Sequence, residues 1–372
     1  MALSVIKLKE IEQTDEVVQQ TIDALRAGKL VVFPTETVYG LGALASQPQA
    51  VERLISSKGR KTGHALPIAI SGLDVLTEYV PALDSLSERL ARRCWPGPIT
   101  LVLDGTSESS RLRELSTFVQ KAIMPNKTVG IRVPKHSVFL DILKQLNEPI
   151  VLTSANLTGE KPATSAEMVA DSLGDLADLM LDDGTAQYKT PSTVVEMINN
   201  KVNILREGAI SKENIKRLTA KIILFVCTGN TCRSPMAELL CSHILAEHLH
   251  CSLDELEDNG YLVMSAGVAT TAAIQASQGA KEAMKSFGLS LDEHESQPLC
   301  DFLIQFADLI YVMGRAHRSA ILSKWPEVDS RLFILRPDNV DVSDPLGCDV
   351  DVYMQCADQI KKAIEQRIND IL

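Results

Sequence analysis

Short apolar runs alternate along the chain with stretches whose apolar residues recur at helical spacing. Near the start, Val17, Val18, Ile22 and Leu25 fall on one face of an expected helix; Thr14 is placed to cap it and Gly28 follows its end. Residues 30–33 read as a short buried strand, and residues 50–56 as a helix. In the second half, the apolar run 222–226 reads as a buried strand that leads through a loop into a helical pattern from Pro235. Residues 262–264 and 308–313 read as further strands, and an amphipathic stretch starts at Asp301. This alternation predicts α/β architecture in both halves.

Composition adds bounds. A chain of 372 residues is long enough for two domains with full cores. With 45% hydrophobic and 23% charged residues it is ordinary globular material. A net charge of -11 gives no bulk attraction to nucleic acid, so RNA contact requires a local basic patch. No apolar run approaches membrane-spanning length, and the N-terminus has no secretory apolar core. Of eight cysteines only Cys94 precedes residue 227, and none form a C-x-x-C pair, so neither a disulfide scaffold nor a metal site is expected. The expected compartment is the reducing cytoplasm.

The strand–loop–helix of the second half carries Phe-Val-Cys-Thr-Gly-Asn-Thr-Cys-Arg-Ser-Pro from Phe225 to Pro235. Such a loop aims backbone N–H groups and a helix N-terminus at one spot, which suits an anion. A thiol in that field gives up its proton readily, making Cys227 the expected nucleophile. Arg233, with its planar fork, suits phosphate oxygens. Further on, Asp344-Pro345 places a carboxylate on a loop, as a leaving-group acid requires. These residues resemble the low-molecular-weight protein-tyrosine phosphatase family across residues 221–372. The resemblance implies a doubly wound parallel-sheet α/β domain and a phosphocysteine intermediate. It assigns catalysis to Cys227, Arg233 and Asp344 without a metal, and support of the loop to Asn230, Ser234, Ser265 and His294. The substrate would be a phosphorylated protein. Thr231 stands where tyrosine-specific members carry an apolar residue, and Leu346-Gly347 where aromatic walls are common. The loop closely resembles that of bacterial protein-arginine phosphatases, so phosphoarginine is the preferred expectation and phosphotyrosine the alternative.

The first half holds a series of shorter motifs. Pro34-Thr35-Glu36-Thr37-Val38-Tyr39-Gly40 follows the buried strand, then come Lys58-Gly59-Arg60, Trp95-Pro96-Gly97-Pro98-Ile99-Thr100 and Gly130-Ile131-Arg132. Thr153-Ser154-Ala155-Asn156, Ser192-Thr193 and Leu205-Arg206-Glu207-Gly208 complete it. In this order they resemble the YrdC-like threonylcarbamoyl-AMP synthases, over a domain placed at residues 1–210 with a linker at 211–220. The resemblance implies a twisted-sheet α/β domain that makes threonylcarbamoyl-AMP and pyrophosphate from L-threonine, bicarbonate and ATP, with magnesium carried on the phosphates. The product would pass to the tRNA threonylcarbamoyl transferase machinery, and the resemblance brings in tRNA itself as a further partner. By the same resemblance Thr35 and Arg132 hold threonine, with Ser192 nearby; Arg132 is expected to grip the carboxylate with two prongs. Lys58, Arg60, Ser154, Asn156 and Arg206 contact ATP, and His64 replaces an Asn of the family pattern as a nucleotide contact. The competing reading is a non-catalytic RNA-binding module, double-stranded RNA included, that tethers a phosphatase.

Overall fold

The computed structural model describes residues 3–11, 13–57, 65–198 and 201–372. It divides into two compact units, Met1–Ile215 and Lys216–Leu372. Most of residues 211–220 form the helix Lys212–Thr219.

In the first unit the described residues form strands β1 (Ser4–Lys7), β2 (Val31–Phe33), β3 (Gly40–Leu44), β4 (Ile68–Ala69) and β5 (Ile99–Asp104). They continue with β6 (Thr128–Arg132), β7 (Ile150–Ser154), β8 (Leu179–Asp182), β9 (Thr193–Ile198) and β10 (Lys201–Arg206). All belong to one mixed sheet ordered β1-β8-β2-β3-β7-β4-β6-β5-β9-β10. The helix Thr14–Arg26 lays Val17, Val18, Ile22 and Leu25 onto it. Thr14 does not cap this helix: it is the first helical residue, Gln13 occupies the cap and no side-chain bond is made there. Asp15 and Glu16 in the first turn instead complement the helix dipole. Phe33 stacks on Phe139 with ring centroids 4.1 Å apart, anchoring the end of β2.

Register explains why the polar motifs meet. Phe33 pairs with Gly40 and Gly40 with Ser154, so the 34–39 loop lies beside the end of β7. Leu101 pairs with Ile131, and Thr100 with Val194, which brings Thr100, Arg132 and the approach to β9 together. The β9–β10 hairpin sets Arg206 against Val194.

The second unit has four parallel strands, β11 (Lys221–Cys227), β12 (Tyr261–Gly267), β13 (Leu309–Val312) and β14 (Leu332–Ile334), ordered β12-β11-β13-β14. Successive residues of β11 face opposite ways, and each set meets its own helices. Ile223, Phe225 and Cys227 join the core under the helices Arg233–Leu249, Gln278–Ser286 and Val350–Ile371. Ile222, Leu224 and Val226 join the core beneath Asp301–Phe306 and Arg315–Lys324. The sheet is therefore covered on both faces. The chain runs outward from β11 to both sides, so the loop after β11 sits where the winding reverses, the usual ligand position of such sheets.

Candidate active sites

In the second unit Cys227 ends β11 and Arg233 begins the next helix, leaving five residues to form the loop. Asn230 makes that turn with φ 52°, a left-handed conformation that Asn tolerates better than most residues. Its backbone N–H donates to Cys227 Sγ at 3.2 Å. Its side-chain Nδ2 donates to Ser234 Oγ at 2.9 Å and Ser265 Oγ at 2.8 Å, and its Oδ1 accepts from Gln297 N at 2.8 Å. Ser234 Oγ lies 3.0 Å from Cys227 Sγ. His294 Nε2 lies 2.9 Å from Asn230 O; a carbonyl only accepts, so the proton sits on Nε2. Burial holds the His294 ring below its ordinary pKa, against the opposing effect of that bond.

Glu238 lies behind this network and accepts from Ser265 Oγ at 2.5 Å. Burial raises its pKa, with the Ser265 bond opposing. Gly267 is required on β12: a Cβ there would lie 2.7 Å from Thr228 O and 3.1 Å from Asn230 N.

At the mouth, Arg233 Nη2 donates to Asp344 Oδ2 at 2.5 Å; the Arg233 side chain is 9% exposed and that of Asp344 50%. Asp344 Oδ1 also accepts from Leu346 N at 3.2 Å. Thr231 is half-buried, with its Oγ1 3.6 Å from Cys232 Sγ, while Cys232 Sγ donates to Ser277 Oγ at 3.2 Å. The arrangement joins a thiol, a guanidinium and a carboxylate at one helix N-terminus, the parts needed to hold a phosphoryl group, attack it and protonate a leaving atom.

In the first unit a cavity of about 270 Å³ is lined by Thr35, Arg132, Ser154, Ser192 and Arg206, among others. Thr35 Oγ1 lies 2.9 Å from Thr37 Oγ1 and donates to Val38 O at 2.6 Å. Ser192 Oγ lies 2.9 Å from Thr100 Oγ1, and Arg206 Nη2 donates to Ser192 O at 2.7 Å. Arg132 is buried and paired with buried Glu36: Nη2 donates to Glu36 Oε1 at 2.9 Å and to Thr37 Oγ1 at 2.8 Å, and Nε donates to Gly97 O at 3.3 Å. The two-pronged carboxylate grip expected of Arg132 is thus not what this geometry offers. Either bidentate face of a guanidinium uses Nη2, and both Nη2 hydrogens are committed.

Asn156 is not among the residues lining the cavity; its Nδ2 donates to Leu157 O at 2.8 Å and Glu160 O at 3.0 Å, building a local turn. Lys58, Arg60 and His64 lie outside the described residues. Among the described residues no His, Cys, Asp and Glu group of three or more gathers as a metal site, and no helix is long and apolar enough to cross a membrane.

Several contributors escape motif reading. Glu36 and Thr37 stand inside a motif but orient Arg132. Thr100, Glu238 and Gln297 act on partners 92, 27 and 67 residues away. Glu36 is a buried carboxylate three residues past a buried strand, which calls for a cationic partner without saying which residue supplies it.

Fold and sites together define a two-site chain: an α/β unit around a polar cavity, and a parallel-sheet unit around a cysteine–arginine loop. The Sua5/YciO/YrdC family model, whose description reads telomere recombination, matches residues 23–208. The low molecular weight phosphotyrosine protein phosphatase model matches residues 222–371. The chain belongs to the Sua5/YciO/YrdC family and carries a low-molecular-weight phosphatase domain fused behind it.

Among its relatives, a threonylcarbamoyl-AMP synthase of Pyrococcus abyssi is 35% identical over 199 residues, 53% of this chain and 56% of the relative. The chain therefore spans little more than half the length of that curated relative. A solved mutant of Pyrococcus abyssi Sua5 superposes with a TM-score of 0.52 at 26% identity, covering 70% of this chain and 90% of that one. The YwlE arginine phosphatase of Geobacillus stearothermophilus is 32% identical over 40% of this chain and 92% of its own, with a TM-score of 0.35.

Proposed function

We propose that the chain is a bifunctional cytoplasmic enzyme. Residues 1–210 make threonylcarbamoyl-AMP and pyrophosphate from L-threonine, bicarbonate and magnesium-bound ATP, for a separate transferase that modifies tRNA. Residues 221–372 hydrolyse a phosphorylated protein. The observation that carries this reading is that each unit holds its own buried polar site at the ends of its strands.

For the synthase, the threonine amine and bicarbonate yield a carbamate and water. A carbamate oxygen then attacks the α-phosphorus of ATP and pyrophosphate leaves. Positioning and charge neutralisation supply most of the catalysis. Thr35 and Ser192 offer hydroxyls at the cavity wall, while Glu36, Thr37 and Gly97 hold Arg132 still, leaving Nη1 for the carboxylate. Arg206, Ser154, Lys58 and Arg60 are assigned to the nucleotide.

For the phosphatase, Cys227 Sγ attacks phosphorus, forming an S–P bond as the leaving atom departs with a proton from Asp344. Water then cleaves the phosphocysteine, with Asp344 accepting its proton. Phosphoryl oxygens compete with Asp344 for Arg233, so substrate binding releases the carboxylate for proton transfer. Thr231 at the loop and Leu346 at the lip, 68% exposed and not aromatic, favour phosphoarginine over phosphotyrosine. The test compares kcat/KM on phosphoarginine and phosphotyrosine peptides for wild type and Thr231→Ile. A shift of the ratio toward phosphotyrosine supports the assignment; an unchanged ratio refutes it.

A further inference from the structure

Among the buried titratable side chains beside the loop that the phosphatase reading leaves unused is a histidine. His317 is 8% exposed and is the third residue of the helix Arg315–Lys324. Its Nε2 lies 2.9 Å from Thr228 Oγ1, and Thr228 directly follows Cys227. Its Nδ1 is buried without a hydrogen-bond partner among the described residues. The topology delivers it there: Val312 of β13 pairs with Val226 of β11, and Met313 N donates to Val226 O at 3.1 Å. The helix after β13 therefore starts beside the loop after β11.

The loop is held unevenly. On the Asn230 side, Ser265, Gln297 and His294 all grip it. On the Thr228 side the backbone carbonyl accepts from Ala269 N at 3.0 Å, and the exposed threonine's hydroxyl is tied to His317. A buried imidazole with one nitrogen unpartnered is costly.

We propose that His317 is a positioning residue of the phosphatase site: through Thr228 Oγ1 it fixes the first residue of the loop, and with it the backbone N–H groups that receive the phosphoryl oxygens. The ring acts in its neutral form. Burial and then the Arg233 charge push it below its ordinary pKa, against Asp341 and Asp344. A cationic ring would place a second positive charge near Arg233 with no acceptor for Nδ1–H.

The inference rests on the phosphatase reading, and the experiment separates the two. Hydrolysis of a small aryl phosphate, and its inhibition by inorganic phosphate, are measured for the full chain and for Thr228→Val, His317→Ala and the double variant. Loss of loop placement weakens phosphate binding in ground and transition states alike, so KM and the phosphate inhibition constant rise about five- to tenfold while kcat changes less, the effect of one ordinary hydrogen bond. A merely structural role would reduce the active fraction, lowering kcat with KM unchanged. The double variant should be no worse than either single one, since both remove the same bond. Thr228 is exposed, so Thr228→Val keeps the test available where His317→Ala fails to fold. Wild-type KM and inhibition constant in Thr228→Val, or a double variant whose loss is the product of the single losses, overturns the proposal. Absence of hydrolysis by wild type, or its survival in Cys227→Ser, overturns the phosphatase reading itself.

Discussion

Replacing Asn230 by Ala tests whether the phosphatase loop is held by its side-chain network. The change removes the bonds to Ser234 Oγ, Ser265 Oγ and Gln297 N. Each is worth about 1 kcal/mol net, and the Gln297 N–H loses its acceptor, which moves the total toward the upper end. Ala at φ 52° adds about 1 kcal/mol of left-handed strain that Asn bears better. The expected cost is about 4–5 kcal/mol. For a unit of this size that lowers the melting temperature of the second unit by roughly 8–20 °C. If about 2 kcal/mol of it appears as misplaced loop donors, kcat/KM on an aryl phosphate falls about 30-fold. Asn230→Gly loses the same bonds without the strain and should be the more stable of the two. Calorimetry of the full chain with steady-state kinetics reads both. A melting point within about 2 °C of wild type and kcat/KM within about threefold would refute the reasoning.

Other expectations follow from the same geometry. A Cβ on Gly208 would sit 2.2 Å from Pro191 O, 2.6 Å from Ser192 C and 2.7 Å from Ser192 O, all backbone; Gly208→Ala should cost about 1–3 kcal/mol, displace Ser192 and Arg206 and lower synthase activity about tenfold, with phosphatase kinetics unchanged. Glu36→Gln leaves buried Arg132 uncompensated and should destabilise the first unit by about 3 kcal/mol, read by chemical denaturation. Burial holds His136, His294 and His317 below their ordinary 6.5, so each contributes stability that is present above pH 6.5 and lost as pH falls through its folded value. From these histidines melting temperature should be flat around neutral pH and decline below pH 6.5, while buried Glu238, shifted upward, acts in the opposite sense, and buried Cys94, Cys241 and Cys356, also shifted upward, cost stability once pH passes the ordinary thiol value.

Where a site is built from one contiguous stretch, it could be read from the chain. The run 222–226, the loop and Pro235 specify β11, the cradle and the following helix by local pattern alone, and the structure places the strand at Lys221–Cys227. Ser265 and His294 came from resemblance rather than spacing, and they lie at the loop through Asn230. What stayed hidden was long-range pairing. Nothing near Glu36 announces a partner 96 residues on, and only the paired sheet shows that Arg132 spends its Nη2 there. Asn156 is assigned to the nucleotide by resemblance alone, and the local turn its Nδ2 builds with Leu157 O and Glu160 O is not visible in the tripeptide itself. His317 carried no motif and emerges only because β13 runs beside β11.

The central claim is that one chain holds a synthase and a phosphatase with separate chemistry. The most direct measurement is pyrophosphate release by the full chain on incubation with ATP, L-threonine and bicarbonate, repeated with each substrate omitted and with Cys227→Ser. The account predicts release that requires all three substrates and persists in Cys227→Ser, whose phosphatase activity is lost. ATP turnover independent of threonine would contradict it.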